Sequence, residues 1–206
     1  MERLVKLLNE AIEIAESMKC CLSDGKSKEL QLSDLNPGDV FLIGEHEFIV
    51  LEHYEDGSLV ISKELWLKNV AFDSSTRDYA KSKIKKIIEE KIQPEIEKAV
   101  GKENLLEHRV SLESVDFQKE FEDVCCKVRL ITFEETRKYN NLIANKELSD
   151  WWWTCTSWST EERGIKYSVA VVSPLGDFNY DFCCNYLGVR PVCILKSNIF
   201  VSKKGE

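Results

Sequence analysis

The sequence PGDVFLIGEHEFIVLEHYEDGSLVIS, residues 37–62, decides the fold of this chain. It contains three short apolar runs, at residues 40–43, 46–51 and 58–62. Gly44-Glu45 separates the first two runs, and Asp56-Gly57, a dipeptide typical of tight hairpin turns, separates the last two. Apolar runs bounded by turn residues are typical of β-strands. The stretch therefore predicts a three-stranded antiparallel meander.

Three helical segments are predicted after the meander. Residues 75–78, Ser-Thr-Arg-Asp, resemble a capping box, and apolar residues follow it at helical spacing, at Ala80, Ile84, Ile87, Ile88 and Ile92. Pro94 is expected to be the first residue of a second helix that ends near Gly101. After a short strand at residues 128–131, Thr132 is expected to cap a third helix, with Glu134 and Glu135 in its first turn.

The C-terminal third combines aromatic residues with strand patterns. Strands are predicted at residues 167–172 and 188–195, and a turn is predicted at residues 174–177. Helices mixed with hairpin-connected strands predict the α+β class with antiparallel sheets, in one domain that spans residues 37–206.

The first 36 residues have a different pattern. Leu4, Leu8, Ala11, Ala15 and Met18 repeat every three or four residues, which predicts an amphipathic helix over residues 1–22. Residues 23–36 are polar and are expected to form a linker. Two interpretations of the helix stay open: it packs on its own domain, or residues 1–20 form the seam of a homodimer or dock on a partner.

The composition constrains the class of partner. The chain has 206 residues, 43% of them hydrophobic, and a formal net charge of −8. An acidic balance argues against direct nucleic-acid binding, which needs clustered Lys and Arg. It is compatible with a protein partner that has a basic surface, and also with a role in solubility alone. No run approaches the roughly 18 apolar residues of a membrane span, and the first residues lack a signal peptide's apolar core. We therefore expect a cytoplasmic protein without membrane contact.

The sequence contains cysteines and histidines, but not at the spacings of known metal-binding or catalytic motifs. Eight cysteines are present, and six form the adjacent pairs Cys20-Cys21, Cys125-Cys126 and Cys183-Cys184. Adjacent side chains in a strand point to opposite faces and no Cys-x-x-Cys occurs, so we expect reduced, mostly buried thiols. None of the three histidines, His46, His53 and His108, neighbours a nucleophile in a known catalytic motif. The sequence predicts no catalytic residue, no metal and no cofactor.

The order of these motifs resembles an uncharacterised domain family of gut-type bacteria, their prophages and phages. Family members open with "PGD…G", continue with a "WRVL…LLIS" hairpin and with "LRxWLN" and "LLSxEE" helices, and close with "WWLRSPG" and "GVRPAL" segments. The corresponding segments here are residues 37–44, 48–51 with 59–63, 84–89, 130–135, 151–156 and 188–192.

The resemblance implies a C-type-lectin-like fold, which is also similar to that of formylglycine-generating enzymes. In that fold the terminal strands lie together and a loop-rich face contacts the ligand. Two segments depart from the family pattern. Lys85, Ile87 and Glu89 stand where Arg, Trp and Asn are usual, and residues 154–157, Thr-Cys-Thr-Ser, replace Leu-Arg-Ser-Pro. Cys155 stands in place of an arginine, so the fork-like guanidinium donor of the family is missing here. A family ligand site that depends on this guanidinium is therefore not expected in this chain.

The tryptophans are the first candidate site residues. Trp151 and Trp153 are expected on one face of a strand and Trp152 on the other, because strand side chains alternate. Exposed aromatic rings serve as protein anchors or sugar platforms, whereas buried ones pack under the loops of a sheet. We assign Asp150, Trp152 and Trp158 to ligand or partner contact, and Trp151 and Trp153 to structure.

Other candidates come from charge and from the closing strand. Glu89 and Glu90 begin an acidic run on the helix, either a solvated face or a surface that mimics phosphates, together with Glu95, Glu97 and Glu103. Gly188, Arg190 and Pro191 are assigned to structure. Arg190 is expected to pair with a carboxylate or with loop carbonyls.

These features predict a non-enzymatic binding module, a phage or prophage accessory protein that binds a host protein in the bacterial cytoplasm. The concrete hypothesis is an acidic inhibitor of a nucleic-acid-binding defence effector, such as a CRISPR nuclease. One alternative is a glycan- or receptor-binding lectin-like domain, although the calcium-binding triplets of lectins are absent. Another is a formylglycine-generating-type oxidase that uses Cys183, Cys184 and Cys193, although the motif around them does not match.

Overall fold

The computed structural model describes residues 30–203, and it is a mixed α+β structure with mostly antiparallel sheets, as expected. The predicted helix at residues 1–22, the dimer seam at residues 1–20 and the first half of the linker lie outside the described residues. The end of the predicted linker is not a linker. Leu30–Gln31 form a strand, and the turn that follows, Leu32–Asp34, buries Leu32 completely.

The strands are short and are numbered here in chain order. They are β1 Leu30–Gln31, β2 Val40–Ile43, β3 His46–His53, β4 Ser58–Ser62, β5 Leu67–Ala71, β6 Leu105–Leu106, β7 His108–Val110, β8 Val124–Cys126, β9 Val128–Leu130, β10 Trp152–Ser157, β11 Ser168–Val172, β12 Phe178–Phe182, β13 Tyr186–Val189, β14 Pro191–Leu195 and β15 Phe200–Lys203.

The predicted meander is confirmed as the middle of the larger sheet. Strands β2, β3 and β4 pair in an antiparallel order, and residues 58–62 have the bounds that the sequence predicts. The full order of this sheet is β1-β15-β2-β3-β4-β14-β6, and β9 also pairs with β14. The first and last strands of the described region, β1 and β15, are therefore neighbours.

The second sheet has the order β12-β11-β10-β13-β5, and β7 pairs with β8 in a separate hairpin. Its only parallel pair among the described residues joins β10 to β13. Within residues 30–203, strand β12 pairs with β11 alone and forms one edge of this sheet. The closing strand, predicted as one run at residues 188–195, is divided: β13 belongs to the second sheet and β14 to the larger one. Arg190 is the residue between them.

In the described part of the chain, four α-helical segments lie between the strands: α1 Lys83–Ile87, α2 Gln93–Val100, α3 Phe133–Lys138 and α4 Asn140–Ile143. A π-helical turn, Ile88–Ile92, joins α1 to α2, so the two separate helices predicted around Pro94 are one helical run. Because proline has no N–H to donate, the regular helical hydrogen-bond pattern is interrupted near Pro94. The wider π-helical turn lies directly before this residue. The run ends at Gly101 as predicted, with a φ of 88° at that glycine.

The predicted capping box at residues 75–78 does not begin an α-helix, although Asp78 caps the short 3-10 helix Tyr79–Lys81, its side chain accepting a hydrogen bond from Ala80 N. The Asp73 carboxylate accepts hydrogen bonds from the backbone of Ser75 and Thr76, which turns this segment into a loop. The α-helix begins at Lys83 instead, where the hydroxyl of Ser82 accepts a hydrogen bond from Lys85 N. The Asp73 carboxylate also accepts one from Lys83 N.

The core is divided by β10 into two buried clusters. Trp153 and the half-buried Trp151 lie against the cluster that contains Phe41, Phe48 and most of the helical isoleucines, and Trp152 lies in the other cluster. The predicted alternation of the three tryptophans is confirmed. None of the helices in residues 30–203 is both long enough and apolar enough to cross a lipid bilayer.

Candidate protein-binding surface

Strand β12, in the second sheet, carries three exposed aromatic side chains. Phe178, Tyr180 and Phe182 are 38%, 47% and 53% exposed. They occupy alternate positions and therefore share one face of the strand. Trp158, which is half-buried, adds a fourth ring, with its centroid 5.1 Å from that of Tyr180. We call these four residues, Trp158, Phe178, Tyr180 and Phe182, the aromatic surface.

The aromatic surface is supported from below by the start of helix α3. The Phe133 ring lies edge-on to the Phe178 ring at 5.1 Å and to the Trp158 ring at 6.4 Å. Phe133 is itself held in place, because its backbone N–H donates to the Thr156 hydroxyl on β10 at 2.9 Å. Thr132 caps the helix as predicted, with Glu135 completing the capping box. The rings thus stand on a strand and a capped helix, which limits the entropy lost when a partner binds.

The backbone of β12 is partly shielded along its free edge. Hydrogen bonds from Ser173 N to Asp177 O and from Cys183 N to Tyr167 O continue the ladder with β11. Successive N–H groups along a strand point alternately toward and away from the neighbouring strand. With this register, the N–H groups of Tyr180 and Phe182 point away from β11, toward the free edge. The side chains of Asn179 and Asp181 accept hydrogen bonds from those two N–H groups, at 2.9 and 2.8 Å. Because the edge is blunted in this way, we expect side chains rather than strand pairing to provide the contact.

A cleft adjoins the aromatic surface at Phe133. Its volume is about 310 Å³. Aromatic and charged side chains of four segments line it: Tyr54, Arg109, Glu113, Phe117, Arg129, Phe133, Glu134, Glu135, Lys138 and Tyr139. Phe117, 59% exposed, stands on the rim in a left-handed backbone conformation with φ of 58°. That conformation is rare for a bulky residue and is held here by the turn Ser114–Gln118.

The base of the cleft is a buried ion pair. Arg129 donates two hydrogen bonds to Glu135, at 2.7 and 2.6 Å, and a third from Nε to His108 Nε2 at 2.7 Å. Burial raises the pKa of Glu135, but the charge of Arg129 and its hydrogen bonds outweigh this effect and lower the pKa overall. Burial and the Arg129 charge lower the pKa of His108 to about 4, so its ring is neutral near pH 7 and accepts the hydrogen bond.

The positive charge of Arg129 affects the pKa values of three buried thiols. Burial raises the pKa of Cys126 to about 11 and the pKa values of Cys155 and Cys193 to about 12, and the Arg129 charge offsets only part of this rise. A thiol with such a pKa is almost wholly protonated at neutral pH and is a poor nucleophile. Within residues 30–203, no group of three or more His, Cys, Asp or Glu side chains is arranged to hold a metal ion.

The residues that the sequence assigns to partner contact do not lie together in the structure. Trp158 lies on the aromatic surface, but Trp152 is fully buried, so the expectation that it contacts a partner is wrong. Its ring is enclosed because its face of β10 is covered by the second core cluster. Asp150 is half-buried and accepts a hydrogen bond from the backbone of Trp151. It lies at the entrance to β10, not among the four rings.

The acidic candidates lie on another element. Glu89 and Glu90 belong to the π-helical turn, where Glu89 pairs with Lys85 and Glu90 is exposed. An i, i+4 pair of this kind is typical of a solvated helix face.

The residues assigned to structure are buried or nearly so. Arg190 is fully buried and donates to the carbonyls of Ser62 and Ile143, at 3.0 and 2.8 Å, so carbonyls rather than a carboxylate are its partners. Gly188 donates to Trp151 O, and a Cβ at this position would lie 2.7 Å from both methyl groups of Leu65. Pro191 is the first residue of β14, a position that needs no ladder N–H.

Sequence reasoning missed Phe117, Phe133, Phe178, Tyr180 and Phe182. The pattern of residues 178–182, Phe-Asn-Tyr-Asp-Phe, has the period of two that identifies a strand with an aromatic face. Phe117 and Phe133 have no comparable signal, because only the fold brings residues 117, 133 and 178 together.

Comparisons of the chain with protein families, with curated proteins and with solved structures find no match.

Proposed function

We propose that this chain is a non-enzymatic module that binds a host protein through its aromatic surface. The observation that carries the proposal is the row of Phe178, Tyr180 and Phe182 along an edge strand, joined by Trp158. Contiguous exposed aromatic groups are unusual on a protein without a partner, because they leave apolar area in water. Rings of this kind are the side chains that dominate the energy of protein interfaces.

The partner that we propose has a basic surface. The chain carries a net charge of −8, which favours encounter with a basic protein through long-range attraction. The phage-type family resemblance motivates the concrete case, a nucleic-acid-binding defence effector such as a CRISPR nuclease. In that case the module would be an accessory protein of a phage or prophage and would act in the bacterial cytoplasm.

The C-type-lectin-like arrangement is also part of the proposal. Its support is the pairing of β1 with β15, which places the first and last described strands together, as the family resemblance implies. The glycan-binding alternative has one favourable observation, since exposed Tyr180 and half-buried Trp158 could stack on a sugar. Binding on a glycan array that requires these two rings would favour this alternative over a protein partner.

The oxidase alternative has less support. Burial raises the pKa of Cys183 to about 11 and the pKa of Cys193 to about 12, whereas cysteine chemistry needs a thiolate at neutral pH.

A capture experiment with matched variants tests the proposed function. Tagged protein is incubated with a bacterial host lysate at low and at high salt, and the bound proteins are quantified. Phe182→Ala should weaken capture of the partner roughly 10- to 30-fold, because truncating a central interface aromatic costs more than about 1–2 kcal/mol. Phe200→Ala is the matched control, since Phe200 is a 65% exposed phenylalanine on a strand of the larger sheet. Equal capture by both variants would reject the aromatic surface as the binding site.

A further inference from the structure

We infer that the cleft beside the aromatic surface receives an arginine side chain of the partner protein. This inference rests on the proposed function and deepens it, because it names the group that the partner presents. Phe133, which lines the cleft, contacts both Trp158 and Phe178 of the aromatic surface, so a partner bound on that surface lies next to the cleft.

The lining of the cleft has three cationic and three carboxylate side chains, and two of the carboxylates have no cationic partner among residues 30–203. Each of its three cationic side chains already has a carboxylate partner: Arg109 pairs with Asp123, Arg129 with Glu135, and Lys138 with Glu52. Two further carboxylates line the cleft, those of Glu113 and Glu134. Neither has an ion pair or a side-chain hydrogen bond among the described residues. Within the described residues, these two carboxylates are therefore left to pair with a cation that a partner presents.

The aromatic lining selects among cations. Phe117 is 59% exposed on one wall, and Tyr54, 44% exposed, is also part of the lining. The Tyr139 ring already has a cation near it, since Lys138 Nζ lies 5.0 Å from its centroid. A planar guanidinium stacks on such rings while it donates to carboxylates, and an ammonium does this less well.

The size of the cleft suits a single side chain. Its volume of about 310 Å³ is near the lower limit of ligand pockets, which span roughly 300–1,000 Å³. Its base is the buried Arg129–Glu135 pair, in which the carboxylate is already occupied by Arg129 and Thr132. The two unpaired carboxylates are therefore the groups left to bind the incoming guanidinium.

The experiment uses Nα-acetyl-arginine amide as the probe and the full chain as the receptor. The backbone amide signals of the protein are followed by NMR at low salt while the probe is added. We expect shifts at Glu113, Phe117 and Glu134, and binding at least tenfold weaker for the citrulline analogue, which has the same shape and no charge. The double variant Glu113→Gln with Glu134→Gln should weaken binding about tenfold, the effect of losing two exposed ion pairs.

The control variant removes the same charge elsewhere. Glu90→Gln with Glu103→Gln changes two exposed carboxylates outside the cleft, and it should leave binding of the probe unchanged. Equal binding of arginine and citrulline amides would overturn the inference, and so would equal weakening by the two double variants.

If Phe182→Ala abolishes partner capture and the cleft variant does not, this inference fails and the proposed function stands. If arginine amide binds in the cleft but Phe182→Ala captures the partner normally, the cleft chemistry stands and the aromatic surface is rejected.

Discussion

The guanidinium carbon of Arg190 lies 4.8 Å from the centroid of the Trp152 ring, and both side chains are fully buried. Arg190 lies between β13 and β14, where the chain passes from one sheet to the other. Its hydrogen bonds reach the end of β4 and the end of α4. Burial lowers its pKa to about 9, and no carboxylate among residues 30–203 forms an ion pair with it. Arg190 therefore joins the two sheets through carbonyls and a ring.

The first prediction concerns this junction. Arg190→Lys should lower the free energy of unfolding by about 2–3 kcal/mol, because an ammonium cannot reach both carbonyls with the fork of a guanidinium. Urea unfolding followed by tryptophan fluorescence measures the change. Arg137→Lys, on the exposed side of α3, is the matched control and should cost less than about 0.5 kcal/mol. Similar losses for the two variants would show that Arg190 does not hold the sheets together.

The second prediction concerns the base of the cleft. Glu135→Gln should destabilise the protein by about 3–5 kcal/mol, because it leaves the buried charge of Arg129 without a counter-ion. The neighbouring variant Glu134→Gln removes an exposed carboxylate from the first turn of the helix and should cost no more than about 1 kcal/mol. Thermal unfolding of both variants measures the two losses of stability. A loss of stability for Glu135→Gln no larger than that for Glu134→Gln would contradict the ion-pair account.

The third prediction is a dependence of stability on pH. The pKa of His108 is about 4 in the folded protein and about 6.5 when unfolded, so the unfolded chain binds the extra proton between these values. Stability should therefore fall as the pH decreases from about 6.5 to about 4.5, by at most about 1.4 kcal/mol per unit. Below that range, protonation of Glu135 adds to the loss, because its pKa is lowered in the folded state.

His108→Gln should flatten this slope, since a glutamine oxygen can accept the Arg129 hydrogen bond without titrating. His46→Gln, in which His108 is intact, should keep it. Unfolding free energies at half-unit steps of pH provide the comparison. A slope that persists in His108→Gln would assign the titration to another group.

The fourth prediction concerns adjacent cysteines. Cys125 is exposed and Cys126 buried on β8, and Cys184 is exposed while Cys183 is buried. Brief alkylation at pH 8, followed by fragmentation of the labelled peptides, should find Cys125 and Cys184 modified well before their neighbours. Equal labelling within either pair would mean that the burial described here is not maintained in solution.

Several local features of this fold follow from the sequence, and its long-range features do not. The meander, the Thr132 cap and the alternation of Trp151, Trp152 and Trp153 each depend on neighbouring residues, so turn chemistry and periodicity predict them. The division of residues 188–195 at Arg190 depends on two sheets meeting, which no local pattern encodes. Trp152 was misassigned for the same reason, because its burial depends on a core cluster built from distant segments.

The candidate surface shows the same limit. Residues 178–182 have a readable strand pattern, but their contact with Phe133 and Trp158 joins segments far apart in the chain. The unpaired carboxylates of the cleft are still harder to predict from the sequence, because the fold decides which carboxylates already have partners. The acidic run in the sequence points to Glu89 and Glu90, whereas the unpaired carboxylates of the cleft lining are those of Glu113 and Glu134.

Site-specific photocrosslinking tests the central claim, that the aromatic surface binds a partner protein, most directly. Phe182 is replaced by the photoreactive residue p-benzoylphenylalanine, and in a second protein Phe200 is replaced instead, so both probes sit on exposed strand positions. Each protein is irradiated in the host lysate, and crosslinked products are identified by mass. We predict one dominant crosslinked protein from position 182 and none of it from position 200. The same crosslinked product from both positions, or none from position 182, would contradict the proposed function.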